Sequence, residues 1–297
     1  MEIIFDQRIY KIKSIVNPTQ FLIKTGIFAF FKTTKMLQNS RLSLLFMFMG
    51  GLALLFIIAP LAGMFLKTTL PQYSQTIADP EVIRSIRLTL LSSLAGTLIF
   101  ALAAIPLAYV LARKKFFLKG LINGIVDLPV VIPHSAAGIA LLGVVSRGTW
   151  LGQAGEAAGL TFVGGVAGIV LAMAFVSLPF LINAARDGFA AVPERLEKAA
   201  LNLGASPWRV FFTVSLPLAK RSILSGLVMM WARGLSEFGS VVIIAYHPMV
   251  TPVLIWERFT SFGLAYARPV AAIFVLVCLA IFVVMRILSK NKLHVRN

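Results

Sequence analysis

The chain has 297 residues, 59% of them apolar and 13% charged, and its 28 basic side chains outnumber 11 acidic ones for a net charge of +17. Soluble domains carry about a quarter of their residues as charges, so this balance argues against a soluble enzyme and for a polytopic protein embedded in lipid membrane. The basic residues are scattered between apolar runs and form no stripe, which argues against a nucleic-acid partner.

Residues 1–41 read as a cytoplasmic or interfacial tail. Acidic Glu2 and Asp6, and the lysines that interrupt "FLIKTGIFAFFK", argue against a secretory signal. That run is too short to span and reads as an interfacial amphipathic helix. A bilayer core takes about 20 mostly apolar residues per helix. Six segments meet this: Leu42–Leu66, Ile86–Ala112, Leu121–Val145, Thr161–Ala185, Ser222–Ala245 and Ala267–Leu288. Residues 42–288 are therefore expected to form an all-α, six-span membrane domain, followed by a short tail, 289–297.

Basic residues orient these spans. They collect before the first span, in "RKKFFLK" (Arg113–Lys119), between Arg186 and Arg221, and from Arg286 onward. Lysine and arginine accumulate on cytoplasmic loops. Both termini and the 186–221 connection are expected to be cytoplasmic, in a multi-pass protein of the plasma membrane.

The third span carries a charge, Asp127, within "VDLPVVIPHSAAG". Pro129 and Pro133 are expected to break the helix. Broken helices at membrane depth expose backbone N–H groups and line cavities, and His134 and Ser135 add donors. Two readings stay open: a kinked structural helix with a satisfied aspartate, or a pathway lining. Asp127 is a candidate partner for Arg233 of the fifth span. His134 has no second His/Cys cluster beside it, so no metal site is expected.

The connection 186–221 contains "EKAALNLGASPWRVFFTVSLP", Glu197–Pro217, which reads as a water-soluble helix–turn–helix. Pro193 suits a first helical turn, and Glu194 and Glu197 favour that end of the dipole. Leu196, Ala199, Ala200 and Leu203 recur at helical spacing. Gly204 ends this helix in the left-handed conformation. Ser206 caps a second helix that starts at Pro207, and Pro217 is expected to break the chain before the fifth span. Ala199, Ala200, Gly204 and Ala205 are small enough for another protein to approach closely, while Trp208 and Phe211 offer anchors. The same pattern also fits a piece that merely packs on the membrane domain.

Ala199-Ala200, three residues, Gly204, nine residues, then Val214-Ser215-Leu216-Pro217 resembles the EAA loop of permease subunits of type I ABC importers, E-A-A-x3-G-x9-I-x-L-P. Lys198 stands where that motif has glutamate, with Glu197 one residue earlier, and Val214 replaces isoleucine. The resemblance implies that the loop forms coupling helices docked on a separate ATP-hydrolysing subunit, with Glu197, Lys198, Ala199, Ala200, Gly204, Ala205, Ser206, Leu216 and Pro217 as the coupling residues. It further implies a homodimer of this chain, two such ATPase subunits carrying ATP and Mg, and an external oxyanion-binding protein. No cofactor is expected on this chain itself, which holds no G-x-x-x-x-G-K-[ST] phosphate loop.

The stretch "WARGLSEFGSVVIIAYHPMVTPVLIWERF", Trp231–Phe259, is similar to the fifth-span region of oxyanion permeases, and most of all to the tungstate/molybdate group. The family-like core runs from about residue 84 to 288. Arg233 and Glu237 are i, i+4 neighbours and pair as a structural lock or as a gate. Glu237 would repel a dianion unless Arg233 or another cation intervened. The pathway or gate candidates are Asp127, Pro133, Ser135, Arg233, Ser236, Glu237 and Ser240. A rival class is an ion-coupled secondary transporter of anions, using Asp127, Arg233 and Glu237 as coupling groups. An intramembrane enzyme lacks support, because no paired catalytic carboxylates or metal-ligand spacing occur within spans.

Overall fold

The computed structural model describes residues 41–291, with side chains from 42 to 284. The interfacial helix expected in residues 21–32 and the tail from 292 lie outside the described residues. The chain divides into two units, Met1–Lys67 and Thr68–Asn297. In the first, α1 (Arg41–Leu66) is a 26-residue apolar helix, long enough to cross a membrane.

The described part of the second unit is helical throughout. It begins with α2 (Leu70–Ala78) and α3 (Pro80–Arg113). Asp79 starts α3 by accepting from Glu81 N at 2.8 Å, and Pro80 takes the first turn, where its missing N–H costs nothing. α4 (Lys119–Val131) and α5 (His134–Val145) form one bent pair, turned by 114° at their junction. Only Pro133 breaks the helix. Pro129 is carried inside α4, contrary to expectation. α6 (Trp150–Ala157) is short, and α7 (Val166–Ala190) is a full span.

After α7 come α8 (Glu194–Asn202), α9 (Pro207–Val210), a π-helical turn at Phe211–Ser215, and α10 (Leu216–Leu235). The stretch from Pro207 to Leu235 is apolar and helical over 29 residues. Pro217 therefore does not break the chain. The π turn directly before it widens the helix, with Leu216 N donating to Phe211 O, and relieves the clash of a proline ring with the carbonyls behind it. The fifth span consequently starts and ends earlier than Ser222–Ala245. It stops at Leu235 because Glu237 folds back to cap a separate short helix, α11 (Gly239–Ile244), accepting from Ser240 N at 3.0 Å. α12 (Thr251–Phe262) and α13 (Leu264–Asn291) complete the chain.

α7 is the hub, packed along both α3 and α10. The seam is made of small residues: Ala101, Ala104 and Ala108 from α3, Ala174 and Ala185 from α7, and Ala219 from α10. Between helices in lipid there is little hydrophobic drive, so close backbone approach carries the packing. Gly226 follows the same rule. A Cβ there would lie 2.9 Å from that of Ala184.

Two ion pairs fix which helix ends share a membrane face. Arg113, at the end of α3, contacts Glu197, just past α7. α7 crosses once, so the bent pair α4–α5 must also cross once to bring these ends together. At the other face, Arg258 of α12 reaches Asp79 and Glu81 at the start of α3, at 2.6 and 3.1 Å. The bent pair thus counts as one span, and with α1 the candidate spans among the described residues number six.

Candidate functional site

The helix–turn–helix at 194–215 is clipped to the membrane helices by one buried carboxylate. Glu197 accepts from Arg113 Nε at 3.0 and 2.9 Å and from Arg113 Nη2 at 2.8 Å. Ser215 Oγ donates to the same carboxylate at 2.6 Å, and Arg113 Nη2 also donates to Val192 O at 2.9 Å. Both charged side chains are only 10% exposed. A bidentate guanidinium–carboxylate pair is directional as well as strong, so α8 is held to the end of α3 and to the π turn before α10. Phe211 of that turn packs edge-on against Tyr109 of α3 at 5.0 Å between ring centres.

The opposite side of the loop is open. Lys198 points outward to Glu194 at 3.1 Å, and its hydrogen bond and charge hold the Glu194 carboxyl below the usual range. Ala199, Gly204, Ser206 and Pro217 are exposed, and Ala200, Ala205 and Leu216 half-buried. Gly204 turns the chain at φ 84°, with Gly204 N donating to Leu201 O and Ala205 N to Ala200 O. Ser206 Oγ accepts from Arg209 N at 3.3 Å. Leu203 and Trp208 stand 88% and 75% exposed beside this small-residue face.

A second cluster lies where α10, α11 and α5 meet. Glu237 has no exposed side-chain area, and its Oε2 lies 3.1 Å from both Arg233 Nη1 and His134 Nδ1. Its Oε1 accepts from Ser240 N at 3.0 Å and Ser240 Oγ at 2.9 Å. Arg233 Nη1 donates to Ser236 Oγ at 3.2 Å, and Nη2 lies 2.8 Å from His134 Nε2. Nη2 also lies 3.1 Å from His134 Nδ1, and since a guanidinium only donates, the imidazole is the acceptor in this contact. Gly239 makes the approach feasible, since a Cβ there would sit 2.7 Å from that of His134. Pro133 and Ser135 are exposed at the start of α5.

Asp127 is not part of this cluster. It accepts from Asn183 Nδ2 of α7 at 2.6 Å, so the expected candidate pairing with Arg233 does not form. The physical reason is placement: Asp127 lies on α4, before the break, whereas Arg233 faces the first residue of α5. At the other membrane face, Asp79, the partner of Arg258, borders a cleft of about 660 Å³ lined also by Glu81, Arg84 and His247.

Residues 104–294 match the family described as binding-protein-dependent transport system inner membrane component. The chain belongs to that permease family. Among its relatives, the molybdate/tungstate transport system permease protein WtpB of Thermococcus kodakarensis is 46% identical over 84% of this chain and 96% of that protein. A probable sulfate transport system permease protein of Chlorokybus atmophyticus is 33% identical over 75% of this chain and 79% of its own. The permease also has the fold of a bacterial ABC transporter involved in import of the polysaccharide alginate, with a TM-score of 0.68 at 20% identity, over 88% of this chain and 99% of that one. Family membership makes this permease a multi-pass membrane translocation component.

Of the seven pathway or gate candidates, Arg233, Ser236, Glu237 and Ser240 meet in this cluster, Pro133 and Ser135 flank His134 in the chain, and Asp127 lies apart. Partners that the sequence pattern does not show include Arg113 and Ser215 for Glu197, Asn183 for Asp127 and His134 for Glu237. Arg113 was legible as part of a basic connection, but nothing local ties it to a glutamate 84 positions on.

Proposed function

We propose that this permease forms the translocation pathway for molybdate or tungstate in an ATP-driven importer. The observation that carries the reading is the 46% identity along nearly the whole length of a permease named for those two oxyanions. Two copies of the chain enclose the pathway, because one copy offers only half of its walls. A separate binding protein delivers the anion outside, in keeping with the family description. Two ATPase subunits, which hold ATP and Mg, sit beneath the 186–221 loop.

Both termini and that loop face the cytoplasm in this reading. Arg113 to Lys119 and Arg186 to Arg221 are rich in positive charge, and the Arg113–Glu197 contact supports a common face for them. The exposed residues Leu203 and Trp208, flanking the small residues Ala199, Gly204 and Ala205, form the docking surface for the ATPase. Glu197 is the link behind it. Movement of a docked α8 passes through a rigid ion pair into α3 and, through Ser215, into α10.

The test is uptake of molybdate and tungstate into vesicles holding the permease with its co-expressed ATPase and binding protein. ATP should be required and an ion gradient should be dispensable. Uptake that survives ATP depletion on an ion gradient alone would identify an ion-coupled secondary transporter instead.

A further inference from the structure

Arg233 and Glu237 are unequally hidden. Glu237 is fully enclosed, whereas the side chains of Arg233 and His134 are 22% and 36% exposed. The carboxylate spends Oε1 on Ser240 and turns Oε2 to Arg233 and His134. An acid enclosed in this way does not present its charge outward. It fixes a guanidinium in one orientation, and a guanidinium carries five donors. The exposed side of the cluster therefore offers the Arg233 guanidinium beside the exposed Ser236 hydroxyl, which accepts from Nη1 at 3.2 Å and donates its proton to Arg233 O at 3.0 Å, a bond that an arriving anion would replace.

Depth matters as much as charge. α4 has 13 residues, so at ~1.5 Å per residue the break at Pro133 lies about 20 Å from the basic Lys119 end. For an α4 that runs near the membrane normal, that length carries the break inside a hydrocarbon core of about 30 Å. A partly exposed arginine at such depth faces water or protein, not lipid. Non-helical backbone there is tolerated only where protein covers it or a cavity wets it.

We propose that Arg233 and Ser236 are a transit station for a tetrahedral oxyanion, with His134 as a positioning residue and Glu237 as a built-in counter-charge that keeps binding weak. This rests on the importer reading above. Conduction needs a site attractive enough to enter and weak enough to leave. Arg233 supplies charge and directional donors; Glu237, ion-paired behind it, offsets that charge so that a dianion is not trapped. A bare arginine would hold the anion, and a bare glutamate would exclude it.

The two halves of this idea predict opposite effects for two substitutions. In the complex with its ATPase, with the binding protein added for uptake and left out for retention, Glu237→Gln uncovers the guanidinium. Tungsten retained per complex after gel filtration, counted by mass spectrometry, should rise by about tenfold or more, the factor set by one charge-assisted hydrogen bond, while uptake slows. Arg233→Gln should abolish both retention and uptake, alone or combined with Glu237→Gln. Arg233→Lys should recover part of the uptake, since an ammonium keeps the charge and loses the planar fork. Equal loss of uptake in the Glu237→Gln and Arg233→Gln variants, with no retained tungsten in either, would mean a structural ion pair only and overturn the station.

If Glu237→Gln fails to assemble, Arg233→Cys with Cys278→Ala replaces it. Uptake restored by an aminoethyl thiol reagent, and not by its neutral analogue, supports the station; recovery with both or with neither overturns it. Failure of the importer reading is separately visible, as absence of ATP-dependent tungstate uptake in the unsubstituted complex.

Discussion

Glu197 and Arg113 are 84 positions apart and meet through three hydrogen bonds of 2.8 to 3.0 Å, each side chain 10% exposed. Removing one partner of such a pair strands the other charge away from water, at a cost of about 3–5 kcal/mol. Glu197→Gln should therefore lower the melting temperature of the complex and reduce uptake more than ATP hydrolysis, because α8 loses its grip on α3. Pairing it with Arg113→Gln removes the stranded charge. The double variant should melt closer to the parent while staying poorly coupled. Thermal melts beside a ratio of ATP hydrolysed to anion imported check both parts. A double variant that recovers normal coupling would refute a linking role for the pair.

Gly204 provides a second test of the loop. Its φ of 84° lies in the left-handed region, and a Cβ there would meet no atom within 4 Å. The penalty for a side chain is thus purely backbone, about 1–2 kcal/mol for an ordinary L-residue. Gly204→Asn should be tolerated best, Gly204→Ala less well, and Gly204→Val least, since β-branched residues are rare outliers there. Coupled transport should fall in that order, while thermal stability of the membrane helices stays near the parent value. Full transport by Gly204→Val would count against a docking role for this turn.

These two sites differ in how far they were legible. The Gly204 turn follows from neighbours: a small-residue helix before it, Ser206 and Pro207 after it. Apolar run lengths located α1 and α13 within about three residues and α3 and α7 within about six, for the same local reason. The fifth span was misplaced because the apolar run resumes in α11 after Leu235, so hydropathy alone reads through the stop that Glu237 makes. Pro217 misled because a π turn, which leaves no sequence pattern of its own, absorbs it. The contacts of Glu197 with Arg113 and of Glu237 with His134 join residues about a third of the chain apart. They arise only in the folded chain, where α8 packs on the π turn and reaches the end of α3, and α11 packs on α5.

Acid should loosen the far membrane face. Burial pushes the Asp79 carboxyl upward, but the hydrogen bond from Arg258, the Glu81 N–H and the Arg258 charge outweigh it and hold Asp79 below its ordinary value. A carboxyl depressed in the folded state contributes stability above its unfolded pKa and loses it as pH falls through the folded one. The Asp79 contribution is therefore complete at neutral pH and lost as pH falls through and below the usual carboxylate range. Asp79→Asn keeps a capping oxygen and loses the ion pair; Asp79→Ala loses both, with a cap worth about 1 kcal/mol. Melting at neutral pH should rank parent, Asn, Ala. The gap between parent and Asn should close below the usual carboxylate range, and a gap that persists there would refute the ionic part.

Asp127 separates a structural charge from a transport charge within the same broken span. Its partner is the amide of Asn183, 2.6 Å away on α7, and not Arg233. An amide donor needs an acceptor and does not need a negative one, so Asp127→Asn keeps the bond through its carbonyl oxygen. Asp127→Ala leaves the Asn183 amide without that acceptor, at about 1–3 kcal/mol if water cannot replace it. The expected outcome is near-parental oxyanion uptake for Asp127→Asn and a lower melting temperature, with proportionate loss of assembled complex, for Asp127→Ala. A well-assembled Asp127→Asn complex that fails to transport would show that the negative charge itself acts on the pathway. α4 would then join α5 and α10 in contacting the anion, and the hydrogen bond to Asn183 would be a resting contact broken during the cycle.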